Sequence, residues 1–166
     1  MTIIATTPTV MGCDTLSSNW LSKHSVSTKV TPIDEGFIGC AGSWLLLNYF
    51  KLKVPTDIST YEDVFNAWEA FGKWCKKKDH LEGDALPGAA IFTLPSGIYV
   101  CQSDRSVIHL TEGYAAIGSG APYALGSLHS TKKLSDKTRV RQAVEAACAH
   151  NPYCGGDVHL YSIDDT

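Results

Sequence analysis

The residue with the most evident chemistry lies at the start of the chain. Removal of Met1, which a small second residue favours, would leave Thr2 with a hydroxyl nucleophile and a free α-amine. The amine can act as the base for its own hydroxyl. Its reference pKa of about 7.7–8.0 leaves an appreciable neutral fraction near physiological pH. Because many proteins begin with Met-Thr, this feature alone is a weak indication of an N-terminal nucleophile.

Two charged residues strengthen the interpretation of Thr2. Lys29 lies within a β-branched segment that reads as a strand, where an interior lysine is unusual. Asp14 ends another predicted strand and could supply the partner that a buried lysine needs. A cation close to Thr2 would lower the pKa of both its hydroxyl and its amine. From spacing alone, a Lys29 that points out of a half-exposed strand stays an open alternative.

Two glycine-containing turns could complete such a site. Ala41-Gly42-Ser43 and Gly118-Ser119-Gly120 both lie at predicted strand-to-helix junctions. Backbone N–H groups at the first junction could point at a developing oxyanion, and the second junction offers a hydroxyl. A plain connection between two elements accounts for either turn as well.

The elements that must position these residues come in blocks of strands and blocks of helices. This order favours an α+β layered domain, with two sheets between two helix layers, over a wound βαβ sheet. We expect one domain across residues 1–166. Apolar periodicity and capping patterns predict strands at 2–5, 10–14, 26–33, 37–42, 89–94, 98–101, 107–110, 114–117 and 158–163, and helices at 43–53, 61–78, from 123 onward and at 136–150, the second one opened by a capping box at 59–62.

Composition excludes several classes of protein. The chain has 166 residues, 19% of them charged, and a net charge of −3, so nothing favours binding to nucleic acid or to an anionic membrane surface. No apolar run approaches the roughly 20 residues that span a bilayer, and no secretory signal is evident, which predicts a cytoplasmic protein. Six cysteines without a C-x-x-C pair and six scattered histidines indicate buried thiols rather than a zinc site or a disulfide framework.

Five segments, in order, resemble the HslV peptidase and proteasome β-subunit family of N-terminal nucleophile hydrolases. The resemblance runs from Thr2 to Ile163, nearly the whole length of the chain. The segments are 2–5, 11–15, 39–43, 116–124 and 153–161, of which 116–124 is the most specific. The resemblance implies a four-layer α-β-β-α fold and a threonine peptidase that requires no cofactor. The short chain is typical of a bacterial or phage-encoded homologue.

The resemblance also implies a role for each matching residue. Thr2 would be the nucleophile, with its amine as proton acceptor, and Lys29 would tune its pKa. Asp14 would orient Lys29. The Gly42 N–H would form the oxyanion hole, and Ser119 would help to shuttle protons.

Further positions would bind substrate or support Ser119. The backbone of Ser18 would hold the substrate strand, and Cys40 would lie near the primary specificity pocket. Gly120, Asn151 and Cys154 would support Ser119, although the proteasome form has Asp and Ser where this chain has Asn151 and Cys154. The first hairpin is also about four residues shorter than in those relatives.

A cation site and partners follow by the same resemblance. Backbone carbonyls at the positions of Gly156, His159 and Ser162 hold a monovalent cation in HslV, which predicts a sodium site here. Homomeric stacked rings of 12 or 14 subunits, a polypeptide substrate and an ATP-dependent unfoldase partner are further expectations. The chain itself has no P-loop. Two alternatives stay open, namely an N-terminal nucleophile amidohydrolase of small amides and a catalytically silent, ring-forming structural subunit.

Overall fold

Two antiparallel sheets contain nine of the eleven strands in the computed structural model, which describes residues 2–18, 23–25 and 28–165. The strands are β1 (Ile3–Thr6), β2 (Val10–Asp14), β3 (Leu16–Ser18), β4 (Lys23–Ser25), β5 (Val30–Ile33), β6 (Gly36–Gly42), β7 (Gly88–Leu94), β8 (Gly97–Cys101), β9 (Val107–Leu110), β10 (Ala115–Gly118) and β11 (Val158–Ser162). The helices are α1 (Trp44–Lys53), α2 (Tyr61–Lys78), α3 (Ala121–Ser130) and α4 (Asp136–His150), and a 3-10 turn spans Ile163–Asp165.

The strand order places the N-terminal strand inside a sheet rather than at its edge. The four-stranded sheet has the order β10-β1-β2-β11, and the five-stranded sheet runs from β5 to β9 in sequence order. β3 and β4 form a separate pair. The start of β1 therefore lies between the end of β2 and the end of β10.

Three apolar clusters separate the layers. Successive residues of a strand point to opposite faces of the sheet, and Ile3 accordingly packs against α3 and α4 whereas Ile4 packs between the two sheets. The third cluster lies under α1 and α2 and includes Phe50 and Trp68. The order is thus helices, sheet, sheet, helices, and the predicted four-layer α-β-β-α fold is confirmed.

Most of the predicted elements are present, with corrections at their ends. The strand predicted at 26–33 begins only at Val30, and residues 26 and 27 lie outside the described part of the chain. The helix expected from residue 123 begins at Ala121, because Pro122 is well suited to the first turn of a helix. The last strand ends one residue early, at Ser162. The β3–β4 pair was not predicted, since its two three-residue strands are mostly polar and show no clear alternation.

The cap of α2 is also displaced by one residue from its predicted position. Thr60, not Ser59, is the N-cap, and its hydroxyl accepts a hydrogen bond from the Asp63 N–H at 3.2 Å. The Asp63 carboxylate in turn accepts from the Thr60 N–H at 2.8 Å. Hydrogen bonds from Thr60 and Ser59 hold the pKa of Asp63 below its usual range. The three lysines at 76–78 lie in the last turn, as expected for cations at a helix C-terminus.

Two observations bear on the excluded classes. All six cysteines are free thiols, and five of them are buried. Within the described residues, none of the helices combines the length and the apolar character needed to cross a membrane.

Candidate active site

Thr2 is buried immediately before the central strand β1, with 4% of its surface exposed. Ile3 pairs with Gly118 of β10, and Ile4 pairs with Cys13 of β2. This register brings the end of β2, where Asp14 lies, and the turn after β10 to the two sides of Thr2. Sheet pairing therefore assembles residues that are more than 100 positions apart in the sequence.

The Asp14 carboxylate is the centre of the hydrogen-bond network. It is fully buried, and its Oδ1 accepts from Thr2 Oγ1 at 2.7 Å, from Lys29 Nζ at 2.6 Å and from the Ile3 N–H at 3.1 Å. Its Oδ2 accepts from the Gly155 N–H at 3.1 Å. These four donors replace the water that a carboxylate loses on burial. The arrangement fixes the hydroxyl of Thr2 and the ammonium of Lys29 on one shared oxygen atom.

Lys29 points into the protein. It is 4% exposed, and besides Asp14 its Nζ donates to the Leu16 carbonyl oxygen at 2.6 Å. Its own carbonyl accepts from the Cys40 N–H at 3.0 Å, which ties the residue before β5 to β6. The alternative of a lysine that leaves a half-exposed strand is therefore wrong. A buried ion pair of this kind is costly to break on one side only.

The turn after β10 contacts the main chain of Thr2 from the other side. Ser119 Oγ donates to the Thr2 carbonyl oxygen at 3.4 Å, and the Gly120 N–H donates to the same oxygen at 3.3 Å. Ser119 Oγ also lies 3.8 Å from Cys154 Sγ. Asn151 Nδ2 donates to the Ser119 carbonyl at 2.7 Å. Asn151 thus supports the backbone of Ser119, while Cys154 is the neighbour of its hydroxyl.

The thiols near the site are held in their neutral form. Burial raises the pKa of Cys154, although a hydrogen bond with Ser119 partly opposes this. Burial also raises the pKa of Cys148 on α4 to about 11. Because the thiolate is the reactive species, neither cysteine competes with Thr2 as a nucleophile at neutral pH.

Gly118 is required by its position beside Thr2. Its φ of +97° lies in the left-handed region that favours glycine, and a Cβ there would lie 2.2 Å from the Thr2 carbonyl oxygen. The sequence marks this turn as glycine-rich but does not show that this glycine carries the steric constraint.

Gly42 and Cys40 lie on β6, next to the Lys29 side of the site. Gly42 ends the strand, is exposed and has a φ of +118°. Cys40 is bound to Lys29 through its N–H, and its side chain lies in the cluster under α1 and α2, where burial raises its pKa. Ser18 ends β3, paired with Lys23. The oxyanion role of Gly42 and the substrate-binding roles of Cys40 and Ser18 stay predictions.

The predicted sodium site consists of three backbone carbonyls, one just before β11 and two within it. Gly156 precedes the strand in a left-handed conformation with φ +78°, whereas His159 and Ser162 belong to the ladder with β2. The Thr15 N–H donates to the Asp157 carbonyl, so every second residue from 157 onward directs its carbonyl toward β2. His159 follows that rule and Ser162 points to the opposite edge. These two carbonyls do not converge, and the sodium site stays a prediction without support from this geometry.

Several contacts of the site use backbone groups that no residue pattern identifies. They are the N–H groups of Ile3 and Gly155 and the carbonyl of Leu16, which bind Asp14 and Lys29. The only sequence signal for any of them was the double glycine at 155–156.

This four-layer sandwich is the fold seen in solved structures of HslV-like, proteasome-type subunits. Thiobacillus denitrificans BPH in complex with Epoxomicin superposes with a TM-score of 0.80 over 96% of both chains, at 21% identity. HslV from Trypanosoma brucei has a TM-score of 0.68 at 18% identity over 96% of this chain and 99% of its own. The Anbu (Gly-1) mutant from Hyphomicrobium sp. strain MC1 has a TM-score of 0.72 at 14% identity over 98% of this chain and 82% of its own.

These similarities confirm the resemblance inferred from sequence at the level of the fold. No family model matches the chain, and no curated protein matches it either.

Proposed function

We propose that this protein is a threonine peptidase that hydrolyses peptide bonds through Thr2 after the removal of Met1. The observation that carries the proposal is the buried contact of Thr2 Oγ1, Asp14 and Lys29, in which hydroxyl and ammonium share one carboxylate oxygen. The similarity to HslV and BPH structures supports the same class of reaction.

The first chemical step forms an ester on Thr2. Its Oγ1 attacks the carbonyl carbon of the scissile peptide bond, and the hydroxyl proton passes to the free α-amine. The tetrahedral oxyanion then collapses, the amine gives its proton to the leaving nitrogen, and the C–N bond breaks. Water attacks the ester next, with the amine again accepting a proton, and this step releases the acid and restores Thr2.

The surrounding residues stabilise charge at Thr2 and orient the groups around it. The Lys29 ammonium favours the developing alkoxide of Thr2 and the neutral form of its amine. Asp14 holds Lys29 in place and compensates its charge in the interior. The hydroxyl of Ser119 contacts the Thr2 carbonyl oxygen and is proposed to relay protons at Thr2. The Gly42 N–H is proposed to bind the oxyanion.

Removal of Met1 is essential to this proposal. While Met1 is attached, the Thr2 nitrogen is an amide and has no lone pair available to accept a proton. The hydroxyl would then still bind Asp14 but would lack its base. Processing is therefore the step that switches the site on.

We further propose that the active form is a homo-oligomer that confines the site. An exposed site that cleaves any unfolded chain would endanger other proteins, and rings with the sites inside solve this problem. Large apolar side chains at the surface, including Leu52, Tyr61 and Phe65, provide area for contacts between copies. The number of subunits and an unfoldase partner remain proposals that rest on resemblance alone.

The proposal is tested by hydrolysis of a fluorogenic peptide library with wild type, Thr2→Ala and Thr2→Ser. We expect activity in the wild type, a large residual activity in Thr2→Ser, which keeps a hydroxyl and an amine, and none in Thr2→Ala. Epoxomicin, the ligand of the BPH complex, is expected to inhibit the wild type. Full peptidase activity of Thr2→Ala would contradict the mechanism.

Native mass spectrometry of the same samples separates the alternative functions. A high-order homo-oligomer with peptidase activity supports the proposal. A monomer or dimer active only on small amides indicates the amidohydrolase, and a ring without any activity indicates a structural subunit.

A further inference from the structure

A hydrogen bond links the two sheets next to Lys29. Tyr161 lies on β11 of the four-stranded sheet, and its hydroxyl donates to Thr28 Oγ1, just before β5 of the five-stranded sheet. The Tyr161 ring is partly buried and contacts Phe37 of β6, with ring centroids 6.0 Å apart. The aromatic ring is therefore fixed by packing, and the hydroxyl adds a specific contact to it.

The hydroxyl of Thr28 also bonds the main chain of Val30, on the other side of Lys29 in the sequence. Besides accepting from Tyr161, it accepts from the Val30 N–H at 3.0 Å and donates to the Val30 carbonyl at 3.1 Å. These bonds fix the residue before Lys29 relative to the residue after it. The carbonyl of Lys29 itself is held by the Cys40 N–H. The main chain at Lys29 is thus constrained from β6 and, through Thr28, from β11.

We propose that Tyr161 is a positioning residue, which acts through Thr28 to fix the direction in which Lys29 reaches Asp14 and Thr2. This inference rests on the proposed function of Thr2 as a nucleophile. A side chain of β11 would thus contribute to catalysis indirectly, without contact with the reacting atoms.

The hydroxyl of Tyr161 can keep this role at neutral pH. Burial raises its pKa, with the hydrogen bond to Thr28 as a smaller opposing cause, so it stays protonated. The neighbouring thiol of Cys13 is neutral as well, because burial raises its pKa. Replacement of Tyr161 by Phe therefore removes one hydrogen bond and leaves the ring contacts.

The kinetic test compares Tyr161→Phe, Thr28→Val and Thr28→Ser. We expect kcat to fall about tenfold in the first two variants with KM unchanged, since a misdirected catalytic group costs rate rather than binding. Thr28→Ser keeps the hydroxyl and should retain the wild-type kcat. Tyr99→Phe is the matched control, since the Tyr99 hydroxyl bonds Ser96 in the β7–β8 turn.

A pH profile separates positioning from a loss of folded protein. The titratable groups that interact with the Asp14–Lys29 pair beside Thr2 are the thiols of Cys13, Cys148 and Cys154. When Lys29 moves away, the Thr2 amine loses a nearby cation, and the acidic limb of kcat/KM shifts to higher pH. A variant that is only less stable would lose amplitude without this shift.

Crystal structures of the wild type and of the Tyr161 and Thr28 variants make the inference independent of activity. We expect the Lys29 Nζ–Asp14 Oδ1 distance of 2.6 Å to lengthen in Tyr161→Phe and in Thr28→Val. A wild type without peptidase activity would refute the proposed function, and the distances would still test the positioning. The inference is overturned if both variants keep the wild-type distance, kcat and pH profile.

Discussion

Replacement of Asp14 by Asn removes a buried charge on which four donors converge. The amide retains one acceptor oxygen but leaves the Lys29 ammonium, 4% exposed, with Leu16 as its other partner. An amide NH₂ would also face one of the backbone N–H donors of Ile3 or Gly155. Removal of one partner of a buried ion pair costs about 3–5 kcal/mol. For a chain of this size that loss lowers Tm by about 6–20 °C.

Replacement of Lys29 by Met should cost less than the Asp14 variant. Lys29→Met also leaves a buried charge without its ion-pair partner, which costs about 3–5 kcal/mol. Because the carboxylate keeps three donors, from Thr2, Ile3 and Gly155, the loss should lie at the low end of that range. The double variant should be less damaging than the sum of the two, with a coupling of about 0.5–3 kcal/mol. The asymmetry between the two single variants follows directly from the count of donors on Asp14.

Urea unfolding at one fixed protomer concentration measures these four species. Asp104→Asn is the control, because its exposed carboxylate accepts hydrogen bonds from Ser106 in a surface turn, so its replacement should cost much less. The reasoning is refuted if the Asp14 variant costs no more than this control, or if Lys29→Met is the more damaging of the two.

Three further predictions concern the turn beside Thr2, its support and the thiols. Gly118→Ala should cost at least about 2 kcal/mol in urea unfolding, because its φ is +97° and the Cβ would overlap a carbonyl. Gly126→Ala, where nothing lies within 4 Å of the new Cβ, should instead stabilise α3 by about 0.5–1 kcal/mol, and an equal effect at both sites would contradict this. Asn151→Ala should lower kcat about tenfold with little change in KM, because the backbone of the turn loses its 2.7 Å bond, and a change in KM alone would argue against the assignment. Cys148, with a pKa of about 11 against an ordinary 9.0, should be alkylated about 100-fold more slowly in the native than in the unfolded protein, as measured by mass spectrometry, and equal rates would disprove its protection.

The parts of the fold that the sequence predicts are those with a strong apolar period. The strands of the two sheets and helices α2 and α4 bury continuous faces, so their patterns survive tertiary context. The β3–β4 pair has no such face and was missed. The N-cap of α2 lies one residue later than predicted, because Ser59 and Thr60 both carry a hydroxyl group that can form a cap.

The candidate site was predictable where side chains carry the chemistry. A lysine in a predicted strand and an aspartate at the end of another suggested an ion pair, and the structure shows one, although Lys29 lies just before β5. The backbone donors and acceptors around it were not predictable, because every residue has the same N–H and C=O groups. The contact of Tyr161 with Thr28 joins two sheets, and no local pattern in the sequence indicates which strands will face each other.

The central claim is that the free amine of Thr2 is the base, and one correlation tests it most directly. Samples prepared with different extents of Met1 removal are measured by denaturing intact mass, and the initial rate of peptide hydrolysis is determined for each. We predict that the rate is proportional to the fraction of chains that begin at Thr2 and extrapolates to zero when Met1 is fully retained. Undiminished hydrolysis by protein that retains Met1 on every chain would contradict the claim.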